Sequence, residues 1–275
     1  MMLDDSETPN AARLYDYYLG GAHNFAPDRA KARDVIELWP NVVPVAQYNR
    51  GFLRRVVEHA LDAGITQFLD LGSGVPTVGN VHEIALARDS TARVVYADYE
   101  TVAYTHSRIL LENEDLFNQA TVIQQDMRDP EAVLSDPETQ RLLDFTQPVC
   151  LLMIAVLHFV SPEDDPASLI AAYRRSLAPG SWVAATHIAC DRAPSEQQAQ
   201  VRRFAHAYAA TSNPLYVRDY AEISGWFSGF ELLEPGVTFL PDWRPGRPHD
   251  PDDDPTYARP LAWCAVGRTS LPSQD

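Results

Sequence analysis

The sequence predicts an α/β fold, a doubly wound and mostly parallel sheet that follows a helical N-terminal stretch. Three observations predict it. Apolar residues recur at helical spacing up to about residue 64, after which short apolar runs alternate with amphipathic segments. The first of those runs, Phe68-Leu69-Asp70-Leu71, leads straight into Gly72-Ser73-Gly74, a strand ending in a tight turn. The run from Val149 to Val156 is the most apolar of all, as befits a strand buried on both faces in mid-sheet.

Taken in order, residues 9–19 form a short helix carrying Leu14, Tyr15, Tyr17 and Tyr18, which Gly20-Gly21 stops. Pro27 and Asp28 open a second helix that ends before Pro40. Pro44 starts a third, with Val45, Tyr48, Phe52, Val56 and Ala60 stepping by three or four, and Gly64 closes it. Together residues 1–64 are expected to form a helical lid. Strands are expected at 66–71, 93–98, 120–124, 149–156 and 182–187. Between them lie helices at 78–88, 100–112, 129–144 (broken near Pro137) and 166–177. The last third departs from this rhythm. Two helices, 195–210 and 217–227, read as an insertion at about 190–228. Final strands follow at 230–233 and 258–267, separated by a Pro- and Asp-rich stretch whose segment 249–255 reads as a solvated turn. The whole, 1–275, is expected to be one domain with its α/β core at 65–275.

Composition narrows the function. The net charge is −16, which disfavours a sequence-tolerant nucleic-acid binder and an anionic membrane surface. Cys150, Cys190 and Cys264 are odd in number and far apart, so neither a disulfide framework nor a zinc site is expected, and buried thiols in a reducing compartment are. No metal site is expected: the His82-Glu83 pair fails H-E-x-x-H at Leu86. The acidic N-terminus has no apolar signal core, and the longest apolar run falls short of the ~20 residues a membrane helix needs. A soluble, cytoplasmic protein is expected.

The strongest chemical signal is the turn at Gly72-Ser73-Gly74. Glycine serves where the backbone takes a positive φ or approaches a ligand. The helix start that follows leaves N–H groups free for a carboxylate or phosphate. Any tight strand-to-helix turn uses such glycines, so context must decide. Asp98 ends the next apolar run, where open α/β folds place an acid for ribose hydroxyls, with Tyr99 and Glu100 beside it. Asp126 follows the third run, placed to accept from an adenine amino group with Met127 on the ring face. Each acid singly reads equally well as a helix cap, but three at successive strand ends line one rim. The dinucleotide pattern G-x-G-x-x-G fails at Thr77, and Asp70 ahead of the glycines would repel a pyrophosphate. A ligand with an α-amino group and a carboxylate fits better, with Asp70 orienting the loop or the amine. S-adenosylmethionine is such a ligand.

The Asp-Leu-Gly-Ser-Gly turn at 70–74, Asp98, Asp126 and the Leu-Ala-Pro-Gly-Ser stretch at 177–181 resemble the class I S-adenosylmethionine-dependent methyltransferases. More narrowly, five segments are similar to a methyltransferase subfamily that long carried only a domain-of-unknown-function label: 9–21, Asn24-Phe25-Ala26-Pro27-Asp28-Arg29, Asn49-Arg50-Gly51-Phe52-Leu53, Val81-His82-Glu83 and Val156-Leu157-His158-Phe159-Val160. The resemblance spans nearly the whole chain. It implies a Rossmann-like sheet of seven strands, the last antiparallel, and S-adenosylmethionine as cofactor; it says little about the acceptor.

On this footing the expected cofactor residues are Asp70, Gly72, Ser73, Gly74, Asp98, Tyr99, Asp126, Met127 and Ala155, with Arg50 pairing the methionine carboxylate and Tyr18 closing over the site. Tyr15, His23 and Asn24 flank the Gly20-Gly21 turn and are expected to meet the acceptor. His158, just past the fourth strand, is expected as a proton-accepting base. The acceptor is expected to be a small molecule; the absence of the Asn/Asp-Pro-Pro-Tyr signature of amino-group methylases after that strand, with the acidic charge, argues against a DNA methylase. Two alternatives stand beside this reading. One is a non-catalytic S-adenosylmethionine sensor; the other is an NAD-dependent oxidoreductase, which the missing third glycine disfavours.

Overall fold

In the structure, a computed structural model, residues 8–77, 79–208, 213–245 and 257–270 are described. Helix α1 (Ala11–Tyr18) begins where Asn10 Oδ1 accepts the N–H groups of Ala12 and Arg13, satisfying two donors that the helix cannot. Helix α2 (Ala26–Leu38) begins where the Asp28 carboxylate reaches back to Phe25 N at 2.9 Å. That same carboxylate takes Asn10 N at 3.1 Å and Arg13 Nε at 2.7 Å, so one buried acid starts α2 and ties it to α1. Helix α3 (Val42–Asp62) buries Val45, Phe52, Val56 and Ala60 of the stripe expected from spacing and leaves its fifth member, Tyr48, half-buried.

The sheet then runs β1 (Gln67–Leu71), α4 (Val81–Arg88), β2 (Arg93–Ala97), α5 (Thr101–Asn113) and β3 (Ala120–Ile123). It continues with α6 (Pro130–Ser135), α7 (Pro137–Leu142), β4 (Cys150–Met153), α8 (Pro166–Ser176) and β5 (Trp182–Ile188). Pro137 divides α6 from α7, because proline lacks the N–H that a continuous helix would need there. Helices α9 (Ser195–Tyr208) and α10 (Tyr220–Gly225) precede three last strands, β6 (Glu231–Leu232), β7 (Thr238–Phe239) and β8 (Ala262–Arg268).

Strand order is β3-β2-β1-β4-β5-β8-β6, with β7 also on β8. Strands β1 to β5 are parallel, and β8 pairs antiparallel with β5 from Trp182–Arg268 to Ile188–Ala262. The seven-strand path with an antiparallel last strand is thus as expected. The two-residue β7 is an addition, too short to leave a period in the sequence. The most apolar run, β4, lies at the middle of the path.

Alternation along each strand supplies two cores. Phe68, Val94, Cys150 and Leu152 face the side packed by α3 and α9, while Leu69, Leu71, Val95 and Leu151 face the side packed by α8 and α10. Connections leave β1 toward β2 on one side, and β4 lies on the other. The switch point, where ligands bind in such sheets, is therefore between β1 and β4. Among the described residues no helix is long and apolar enough to cross a membrane.

Candidate functional site

The site is built where β1 and β4 end side by side. Gly72 has φ +66°, and a Cβ placed on it would lie 2.2 Å from Val156 Cγ2. Only glycine lets the loop after β1 pass so close to the chain after β4. Gly72 N donates to Ala97 O at 2.8 Å, which ties the loop to β2. Gly74, at φ +67°, donates its N–H to Asp98 Oδ2 at 2.7 Å, and Glu100 N donates to Asp98 Oδ1 at 3.0 Å. Across the switch point Ala155 also has a positive φ, 56°, costly for a residue with a Cβ, and its N–H is held by Thr186 Oγ1 at 2.8 Å. A single 3-10 turn, Leu157–Phe159, then presents His158.

These groups open on one cavity that contains about 1160 Å³ of non-atom space. Gly72, Ser73, Gly74, Asp98, Tyr99, Met127 and Ala155 form its rim; Tyr15 and Tyr18 from α1 and His158 line it too. The structure thus brings ten of the fifteen expected residues together. Asp70 and Arg50 line a smaller neighbouring cavity of about 330 Å³, which shares Ser73 and Gly74 with the larger one. Arg50 donates to Thr77 Oγ1 and to Gly79 O, so it braces the loop that follows the glycines.

Asp126 lies beside the cavity while its neighbours Gln125 and Met127 line it. Its carboxylate accepts from Arg128 Nε at 3.0 Å and from Arg128 Nη2. Burial opposes its charge, yet the Arg128 hydrogen bonds outweigh that and hold the carboxyl below its ordinary range. His23 and Asn24 stand away from the cavity. Asn24 Nδ2 donates to Asp16 Oδ2 at 2.8 Å and to Gly21 O, and His23 N donates to the same Asp16 oxygen. Neither residue lines the cavity: the buried Asp16 under Gly21 takes the Asn24 amide and the His23 backbone N–H, while the exposed His23 ring lies against His106.

Electrostatics divide the site in two. Burial pushes the Asp70 carboxyl up to about 7, against the pull of Arg50 and with a push from Asp98. Burial likewise raises Asp98 to about 6, although the N–H groups of Glu100 and Gly74 favour its ionised form. On the far side, burial and then Arg218 depress His158 to about 3, so its imidazole is neutral. Arg218 is itself buried. It donates to Leu157 O, Val160 O and His187 Nε2 and pairs Glu222, so it staples the His158 turn to β5 and α10.

Several cavity residues carry buried polar atoms with no partner among the described residues: Ser73 Oγ, Asn49 Oδ1, His158 Nδ1 and Trp39 Nε1. Such atoms are costly in a closed interior unless water or a ligand meets them. Phe204 and Tyr208 of α9, with Leu215, also line it. From the sequence, residues 195–210 read only as a helix within an insertion, with no sign that α9 packs on α2 and roofs this cavity.

The comparisons follow the same lines. Residues 3–270 match the family model described as S-adenosyl methyltransferase. A protein of Thermobifida fusca YX that carries a methyltransferase assignment is 38% identical, with TM-score 0.88 over 98% of this chain and 97% of that one. A DUF574-family protein of Streptomyces avermitilis MA-4680 is 34% identical, with TM-score 0.88 over 96% of this chain and 99% of its own. An O-methyltransferase family protein of Burkholderia thailandensis, 15% identical with TM-score 0.54 over 98% of this chain and 66% of that one, shares the fold. A comparison with curated proteins finds no match.

Proposed function

The chain belongs to the S-adenosyl methyltransferase family, and we propose that it methylates a small molecule held in the cavity between the sheet rim and the helices α1, α3 and α9. When bound, S-adenosylmethionine supplies a methyl group on a cationic sulfur, transferable to a lone pair as the C–S bond breaks onto that sulfur. The protein's residues have four tasks: to hold the donor, to orient the acceptor, to exclude water and to leave the methyl carbon in line with both.

The observation that carries the reading is the switch-point rim, Gly72 packed on Val156 with Asp98 one strand away. Its residues fit the donor. Ser73 Oγ and the loop N–H groups suit the methionine carboxylate, with Arg50 one cavity away as a supporting charge. Asn49 Oδ1 and Asp70 are acceptors suited to the α-ammonium group. Asp98 keeps a second lone pair on each oxygen for the two ribose hydroxyls. Tyr99, Gln125 and Met127 bound the place of the adenine ring. With Asp126 engaged by Arg128, Gln125 is the better placed of the two to meet the ring's amino group. The only charged side chains lining the cavity among the described residues are Asp98 and Glu100, an acidic wall that favours a sulfonium.

His158 is held neutral, so we assign it the orientation of the acceptor through a hydrogen bond at Nδ1 rather than the capture of a full proton. Helices α1 and α9 close the roof, where the hydroxyls of Tyr18 and Tyr208 meet at 3.4 Å. The free, buried Cys150, Cys190 and Cys264 fit a reducing, cytoplasmic setting. The test is calorimetric titration of the protein with S-adenosylhomocysteine and, separately, with NAD. Saturable binding of the first and none of the second is expected. The reverse pattern would return the site to a dinucleotide enzyme.

A further inference from the structure

Beyond the rim the cavity changes character. From His158 onward, rings follow one another in contact. His158 meets Phe159 with centroids 4.4 Å apart, Phe159 meets Tyr208 at 6.3 Å, Tyr208 meets Phe204 at 4.8 Å, and Phe204 meets Trp39 at 4.6 Å. All five rings line the cavity, and Val42, Val45 and Leu215 fill the wall between them. No lysine or arginine lines the cavity among the described residues. Of the arginines nearby, Arg50 braces Thr77 and Gly79, and Arg218 is committed to Leu157, Val160, His187 and Glu222.

We infer that the methyl acceptor is an uncharged, flat and largely apolar molecule, seated against the ring series that runs from His158 to Trp39. The inference rests on the reading of the rim as the donor site. Three physical arguments select this class. An anionic acceptor would leave water for a ring-lined wall that offers no cation among the described residues, so neither its desolvation nor its charge is compensated. A protonated amine has no lone pair with which to take a methyl group, and it would sit beside the donor's positive sulfur. Aromatic walls favour flat partners, because rings gain offset and edge contacts beyond plain burial.

The test uses calorimetry at about pH 7 on protein saturated with S-adenosylhomocysteine. Three probes share one fused two-ring framework: 2-naphthol, 2-naphthoate and decahydro-2-naphthol. The expected result is binding of 2-naphthol at least tenfold tighter than either of the others. Naphthoate binding as tightly as naphthol would overturn the uncharged class. Decahydronaphthol binding as tightly would overturn the flat one, and no binding of naphthol to the loaded protein would overturn both. Failure of S-adenosylhomocysteine itself to bind would instead remove the rim reading, and the inference with it. The two failures are therefore read from separate titrations.

Discussion

At the scale of single residues, Asp98 shows how a scaffold role and a ligand role share one carboxylate. Its two oxygens fix the N–H groups of Gly74 and Glu100, so the glycine loop and the start of α5 are set by the same group that faces the cavity. Burial wins over those hydrogen bonds and raises its pKa to about 6. Two ribose hydroxyls need the ionised form as acceptor, so protons compete with the ligand below that value. Affinity for S-adenosylhomocysteine should be highest near about pH 8 and fall by up to about tenfold per pH unit below about 6. Asp98→Asn should bind at least tenfold more weakly at about pH 8 and lose the step near 6. Calorimetry across that range checks both, and an unchanged pH profile in the variant would take Asp98 out of the ligand's reach. Asp70, raised to about 7, titrates nearby, so any slope left in Asp98→Asn reports on it.

At the scale of elements, the N-terminal pattern proves to be two interlocked turns. Asp28 is fully buried and holds Asn10 N, Arg13 Nε and Phe25 N; Asp16, also fully buried, holds His23 N and Asn24 Nδ2. Helix α1 can line the cavity with Tyr15 and Tyr18 because these two carboxylates fix its position against α2. Asp28→Ala removes the acid paired with the buried Arg13 and should cost about 3–5 kcal/mol in urea unfolding. A loss under about 1 kcal/mol would mean that α1 is held elsewhere. The sequence placed the boundaries of these two helices well, since glycine and proline punctuate them. It did not tell which side of the Gly20-Gly21 turn His23 and Asn24 would face. That is decided by Asp16, a mid-helix acid whose burial no local pattern reveals. Arg50 illustrates the same limit, lying one step off the α3 stripe and bracing the loop from behind the rim.

At the scale of the whole molecule, the sheet was the most legible part. Alternating apolar runs and helices gave β1 to β5, and the most apolar run indeed occupies the middle of the sheet. The two-residue β7 left no trace in the sequence, because its pairing partner β8 is remote and its own length too short for a period. Helix α9 was legible as a helix but not as a roof, since its packing on α2 is a contact between segments some 170 residues apart. The rim residues were legible as a set from their place at strand ends. The apolar half of the cavity was not, because Trp39, the α9 pair Phe204 and Tyr208, and Leu215 come from three separate stretches that only the fold assembles. Whether the rim from Gly72 round to Asp98 holds the donor is decided by a crystal structure of the protein grown with S-adenosylhomocysteine. Density is expected for the ligand with its carboxylate on the 72–74 loop, both ribose hydroxyls on Asp98 and its sulfur turned toward His158; ligand density elsewhere, with the rim filled by the protein's own side chains, would remove the donor from this rim.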